Sequence, residues 1–309
     1  MERACRRAGV PVRIISAAST AQARSALARA KPSVVIIDSI AIPIAAPLMS
    51  WIRDSLRARL VALMHMPTAA RGARVVLQRA DRVVAVSPSL ARTLARAGVP
   101  RPRLTVIPPG SDGIPHLAHS RHRGRDRGLR VLAIANWSPA KGIATLVSAV
   151  AHVPDLRLDL VGDTGTGTYR DAVVALIRSR RLKTRVIVHG SLGERALARR
   201  YADADVFALP TEREGYGIVF AEALMRGLPI VAADIASVRA IVGEAGLFVP
   251  PGRVRPLAAA LRLMTDAWLR RRLAKAARVR ARALPRWTTS QAMFVALIRR
   301  EMQTAVARP

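Results

Sequence analysis

Acidic residues are scarce in this chain. Asp and Glu together number 20 against 51 Lys and Arg, a formal net charge of +31 over 309 residues. Aromatic residues are scarce too, at 4%. Surfaces that read nucleic acid interleave their cations with stacking aromatics. The charge here is spread over both halves, so it points to no specific nucleic acid. It leaves room for attraction to other anionic partners, such as acidic lipid, and so for peripheral contact with an anionic membrane. Lysine is confined to Lys31, Lys141, Lys183 and Lys275, and the other basic residues are arginine. A single cysteine, Cys5, excludes an internal disulfide framework and a cysteine-based zinc site. A reduced cytoplasm is the simplest compartment. The opening MERACRRAGV is charged and lacks the apolar stretch of a secretory leader. One run has membrane-spanning length, SVVIIDSIAIPIAAPLMSWI at 33–52, but Asp38, Pro43 and Pro47 make it strand, loop and helix instead.

What the chain has in quantity is apolar residue, 51%, which excludes wholesale disorder. Its length suits two domains. Strand and helix signals alternate. VRIIS (12–16), SVVIID (33–38), RLVALMH (59–65), DRVVAVS (81–87) and RLTVIPPG (103–110) read as short buried strands, with helical stretches such as TAQARSALARA between them. The polar, basic 118–128 reads as a linker. A second alternating series follows, with strands LRVLAIAN, LRLDLVG (156–162), RVIVHG (185–190), DVFALP (205–210) and LPIVAAD (228–234). The pattern predicts two α/β domains with Rossmann-like parallel sheets, 1–117 and 129–287, facing each other across a cleft, and a helix over 288–309 that crosses back to the first.

The stretch TEREGYGIVFAEALMRG (211–227) concentrates the chemistry. It follows a strand, where parallel sheets bind ligands. Glu214 lies at the loop mouth. Gly215 and Gly217 let backbone approach a ligand, and a helix start near Gly217 favours an anion. Glu222 lies roughly 7–8 Å along that helix. It is the one carboxylate in an apolar run, and Arg226 follows four residues later. On spacing alone Glu222 is either half of an ordinary Glu–Arg surface pair or a buried carboxylate awaiting donors.

These residues resemble the E-x7-E signature of family-4 retaining glycosyltransferases of the GT-B fold: Pro210-Thr211, Glu214-Gly215-Tyr216-Gly217 and Glu222. Further segments are similar in the same order, VVAVSPSLARTLARAGVPRPRLTVIPPGSD, IANWSPAKGIATLVSAV, RVIVHGSL, RYADADVFALP and GEAGLFVPPG. The resemblance implies transfer of a sugar from a nucleotide diphosphate sugar to an acceptor hydroxyl on a glycan, lipid or small molecule. It implies retained configuration, no obligatory metal and no cofactor. It implies that Lys141 and Gly142 hold the diphosphate, that Glu222 meets the donor ribose and that Glu214 faces the transferred sugar. Tyr216, Gly217 and Ile218 would offer backbone donors, His189 would lie by the base, and His65 near the sugar and the attacking oxygen.

Three departures stand beside it. Asn136 occupies the position of a second phosphate-binding arginine. Arg239-Ala240 replaces a Pro-Glu, and Arg239 is a candidate for restoring the charge. The first strand and Gly-rich loop of such N-terminal domains are absent ahead of MERACRRAGVPVRIIS. Asp203-Ala204-Asp205 spells a metal-binding Asp-x-Asp, and GDTGTGTY (162–169) imitates a dinucleotide loop without the full spacing. Both read as structural loops. The alternatives are a GT-B isomerase, a catalytically impaired nucleotide-sugar-binding relative, or a polyanion binder.

Overall fold

A computed structural model describes residues 1–67, 70–115, 117 and 128–306. Residues 118–127 of the expected linker lie outside the described residues. The chain divides into two compact units. One joins Met1–Gly110 to Pro285–Pro309, and the other is Ser111–Leu284.

The first unit carries a parallel sheet of β1 (Val34–Asp38), β2 (Arg59–Met64), β3 (Arg82–Ala85) and β4 (Leu104–Val106), in that spatial order. The β2 run RLVALM is buried at nearly every position, as a parallel strand covered on both faces must be. The stretch 33–52 resolves into β1 and short helices, Ile42–Ala45 and Met49–Asp54. No helix among the described residues is long and apolar enough to cross a membrane.

The predicted strand over 12–16 does not form. The segment joins no ladder, and Ile14 is 64% exposed. Val and Ile favour a pleated, half-buried surface beside a partner. β1 lies at a sheet edge, and among the described residues no strand pairs on its outer side.

Ala4, Cys5 and Val10 from the start of the chain pack with Phe294, Val295, Leu297 and Ile298 of the helix Trp287–Val306 over Val61, Val84 and Ile107. Burial pushes the Cys5 thiol above its ordinary value. One charged cluster pins that helix. Glu301 is 1% exposed. Its Oε2 accepts from Arg59 Nε (2.9 Å) and Nη2 (2.5 Å), and its Oε1 from Arg82 Nε (3.1 Å). Arg59 Nη1 also pairs with Asp81 at 3.2 Å. These arginines open β2 and β3, so residues 242 positions apart meet at one end of the sheet.

The second unit has six parallel strands: β5 (Leu129–Ile134), β6 (Leu156–Val161), β7 (Val186–Gly190), β8 (Val206–Leu209), β9 (Ile230–Ala233) and β10 (Gly246–Val249). Their order is β10-β9-β8-β5-β6-β7. The chain winds outward from β5 through β6 to β7. It then returns to pair β8 against β5, through Val131–Val206 and Leu132–Phe207, and winds the other way. β5 and β8 therefore flank the topological switch point, where the loops from two neighbouring strands diverge and leave a crevice for ligands. The sequence reading missed β10, a four-residue GLFV run opened by a glycine.

Removing one partner of a buried charge cluster strands the others, at a cost of about 3–5 kcal/mol. Glu301→Ala is therefore expected to unfold the first unit at markedly lower urea than the wild type, and Glu301→Gln at an intermediate concentration. Tryptophan fluorescence and circular dichroism will follow it, and unchanged midpoints would contradict the clamp.

Candidate functional site

The loops at the switch point are Asn136–Gly142 after β5 and Pro210–Gly217 after β8. They are stitched together by backbone. The Ala140 carbonyl accepts from Glu212 N–H at 2.8 Å and lies 3.1 Å from the buried Thr211 hydroxyl, which is also 3.0 Å from the Arg213 carbonyl. Gly142 has φ +67°, and a Cβ there would meet the Pro210 carbonyl at 2.5 Å, so the loops touch only because this residue is glycine.

The seam brings Lys141 to Glu214. Lys141 Nζ donates to Glu214 Oε2 at 2.8 Å, with both side chains mostly shielded. Glu214 Oε1 accepts from Gly215 N–H at 3.2 Å. Gly217 has φ +91°, which turns the chain into the helix Ile218–Met225. A Cβ there would press on Phe220 at 2.9 Å. Tyr216 is buried, and burial foremost raises its phenol.

Glu222 does not form a side-chain ion pair with Arg226. Arg226 Nη1 donates to the Glu222 carbonyl (2.7 Å) and Nη2 to the Ile114 carbonyl (2.9 Å), while its guanidinium lies 4.4 Å from the Tyr201 ring centre. The Glu222 carboxylate instead accepts from the Tyr201 hydroxyl at 2.8 Å. Burial raises the Glu222 carboxyl above the usual carboxylate range, opposed by the Tyr201 hydrogen bond and then by the charge of Arg226.

The other candidates make contacts of their own. His189 Nε2 is 2.5 Å from Asp159 Oδ1, with Arg200 3.8 Å from the same oxygen. Asn136 Oδ1 accepts from Asp163 N–H at 3.2 Å and so binds the Gly-rich 162–167 loop to the end of β5. His65 belongs to the first unit, where its Nε2 is 2.8 Å from Asp38 Oδ2. The pair links the ends of β2 and β1. Arg239 is engaged with Asp234 at 2.7 Å and lies over the Phe248 ring, and that hydrogen bond holds the Asp234 carboxyl low.

The Asp-x-Asp is divided between two structural duties. Asp203 pairs with Arg200 at 3.4 Å, and Asp205 accepts from Arg130 N–H at 3.0 Å. Sequence reasoning missed Asp38, Asp159 and Tyr201 as partners. Asp159 had a signal, as the polar interruption of LRLDLVG. Tyr201 had none.

The sequence profile described as Glycosyl transferases group 1 matches residues 119–280. The chain belongs to that family. A second profile, Glycosyltransferase Family 4, matches residues 3–112. The chain is 34% identical over 186 residues to a D-inositol 3-phosphate glycosyltransferase of Xylanimonas cellulosilytica, covering 55% of this chain and 45% of that relative. It is 32% identical over 245 residues to an MMP alpha-(1->4)-mannosyltransferase of Mycolicibacterium hassiacum, covering 76% of this chain and 56% of that one. It spans about half the length of the curated relatives it matches.

Among solved structures, sucrose-phosphate synthase from Thermosynechococcus elongatus superposes with a TM-score of 0.78 at 24% identity, over 92% of this chain and 77% of that one. Anabaena HepE in complex with UDP and glucose does so at 0.76 and 20%, over 96% and 88%. With that likeness, the two parallel-sheet units have the GT-B fold.

A glutamate raised above its unfolded value takes up a proton more readily when folded. Wild-type stability is therefore lost as pH rises from the ordinary value of 4.5 through the folded one. Glu222→Gln is expected to lack that loss and to be no less stable than wild type at neutral pH, by denaturant midpoints across this range. A clear destabilisation at pH 7 would make the carboxylate a structural prop.

Proposed function

We propose that this glycosyl transferases group 1 protein is a retaining glycosyltransferase. It moves a sugar from a nucleoside diphosphate sugar to an acceptor hydroxyl on a glycan, lipid or small molecule. The observation that carries the reading is the Lys141–Glu214 contact at the switch point of the second sheet. It sets a cation and a carboxylate beside the start of the helix Ile218–Met225, whose dipole favours an anion. Lys141, Gly142 and the backbone of Tyr216, Gly217 and Ile218 take the diphosphate, Glu222 the ribose and Glu214 the transferred sugar. His189 serves the base, and His65 the sugar and the attacking oxygen. The bond from the anomeric carbon to the leaving phosphate breaks as the acceptor oxygen bonds to the same face. The acceptor proton passes to the departing phosphate. Lys141 stabilises the diphosphate charge, so no metal is required.

Support comes from the relatives, named for glycosyl, mannosyl and related transfers, and from the neighbour held with UDP and glucose. Asn136 favours a second reading, a nucleotide-sugar binder without turnover, because its side chain is committed to Asp163 and supplies no second cation.

Screening nucleoside diphosphate sugars for thermal stabilisation is expected to select a donor, and incubation with acceptors to yield an α- or β-linkage matching that donor, in EDTA as well. His65→Ala is expected to lower turnover by more than tenfold with donor affinity little changed. Donor binding with no transfer to any acceptor would select the second reading, and full turnover of His65→Ala would remove that residue from the site.

We also infer peripheral contact with the inner, anionic face of a cytoplasmic membrane. On the helix Ala267–Ala281, Trp268 is 60% exposed with Arg272 5.5 Å from its ring centre, and Arg271 and Lys275 are exposed alongside. An amphipathic ring among cations suits a headgroup region. Trp268→Ala is expected to weaken sedimentation with phosphatidylglycerol vesicles, while phosphatidylcholine vesicles retain neither protein. Equal binding by variant and wild type would dismiss this face.

A further inference from the structure

Tyr201 lies in the last turn of the helix Glu194–Asp203 and is fully buried. Its ring stacks on Phe207 at 6.4 Å and 23°, and the Arg226 guanidinium lies 4.4 Å from its centre. These contacts hold the ring, and its hydroxyl is aimed at the helix Ile218–Met225. It lies 2.8 Å from Glu222 Oε2 and 3.4 Å from the Val219 carbonyl. Burial first, and the Glu222 charge second, raise the phenol well above its ordinary value, so it stays protonated and donates throughout the working pH range. No group among the described residues donates to Glu222 Oε1, and Glu222 is only half-buried. A half-buried carboxylate on a short apolar helix has several rotamers, and a ligand that needs one of them loses affinity in proportion to the time spent in the others.

We propose that Tyr201 is the positioning residue of the donor site, holding Glu222 by Oε2 so that Oε1 is presented to the hydroxyls of the donor's ribose. This rests on the reading that Glu222 meets the donor. Tyr201 itself touches no substrate and acts through Glu222. It has a second effect, since its hydrogen bond opposes the protonation that burial promotes. The groups that bear on the carboxyl are Tyr201 and, one turn along its own helix, Arg226. Of the other elements packed on that helix, Ala267–Ala281 brings Arg278 against Gly227, and Ala236–Val242 carries Arg239, engaged with Asp234. β9 carries no ionisable group.

The test is calorimetric titration with uridine diphosphate, or with whichever of the adenosine, guanosine and thymidine diphosphates stabilises the protein most. It is run from pH 4.5 to 8 on wild type, Tyr201→Phe, Glu222→Gln and the double variant. Phenylalanine keeps the ring that packs on Phe207 and Arg226. At pH 7, Tyr201→Phe is expected to bind about tenfold more weakly, the effect of losing one hydrogen bond to a charged group. Its loss of binding on acidification should begin at higher pH than in wild type. Glu222→Gln should bind weakly with no such acid limb, and adding Tyr201→Phe to it should cost nothing further, since Tyr201 acts through the carboxylate.

If Glu222→Gln binds like wild type, the reading of Glu222 fails. If Glu222→Gln is weak but Tyr201→Phe matches wild type in affinity and acid limb, the positioning role is overturned. If the double variant is weaker than Glu222→Gln alone, Tyr201 is a structural residue and the proposal is equally overturned.

Discussion

The Ala140 carbonyl is the seam on which the second unit's chemistry depends. By accepting from Glu212 N–H and lying within reach of Thr211, it fixes the loop after β5 to the loop after β8. Parallel strands on either side of a switch point diverge at their ends, and nothing in the sheet obliges their loops to meet. Here they meet, because Gly142 lets the Pro210 carbonyl come close and because a buried threonine spans the gap. Lys141 and Glu214 face each other as a consequence. A chain so rich in guanidinium has many cations, but this ammonium is held by backbone geometry.

The same economy governs the carboxylates. Several of the acids described above are tied to structural work: Glu301 and Asp81 bind arginines at the base of the first sheet, Asp203 and Asp205 brace a helix and a strand, and Asp234 holds Arg239. Glu222 differs. Its neighbour Arg226 is turned away to carbonyl oxygens, and among the described residues the Glu222 side chain bonds to a phenol. Burial leaves its carboxyl raised, a condition that structure alone gives no reason to keep.

Much of this was legible beforehand. The β-rich runs between helical stretches gave nine of the strands in place, because a short run rich in Val, Ile and Leu, so placed, has few other uses. VRIIS failed because propensity carries no information about a partner, and β10 was missed because GLFV is short and begins with glycine. At the site, the glycines, Lys141 and the two glutamates stood out by type and spacing. The Tyr201–Glu222 contact did not, since it joins residues 21 apart on different helices. The spacing between Glu222 and Arg226 even suggested the wrong partner. Local periodicity predicts which side chains are neighbours on a helix, not which polar groups at their tips find one another.

The Glu301 cluster also sets an order of assembly. Residues 111–284 form their unit from continuous chain, whereas the first unit needs Phe294–Ile298 in its core and Glu301 between two arginines. On a ribosome the second unit can close as soon as it emerges. The first, although synthesised earlier, must wait with Arg59 and Arg82 lacking Glu301 and part of its core uncovered until the helix Trp287–Val306 is released. Between the closing of 111–284 and the docking of Trp287–Val306, the chain is a finished second unit attached to an unfinished first.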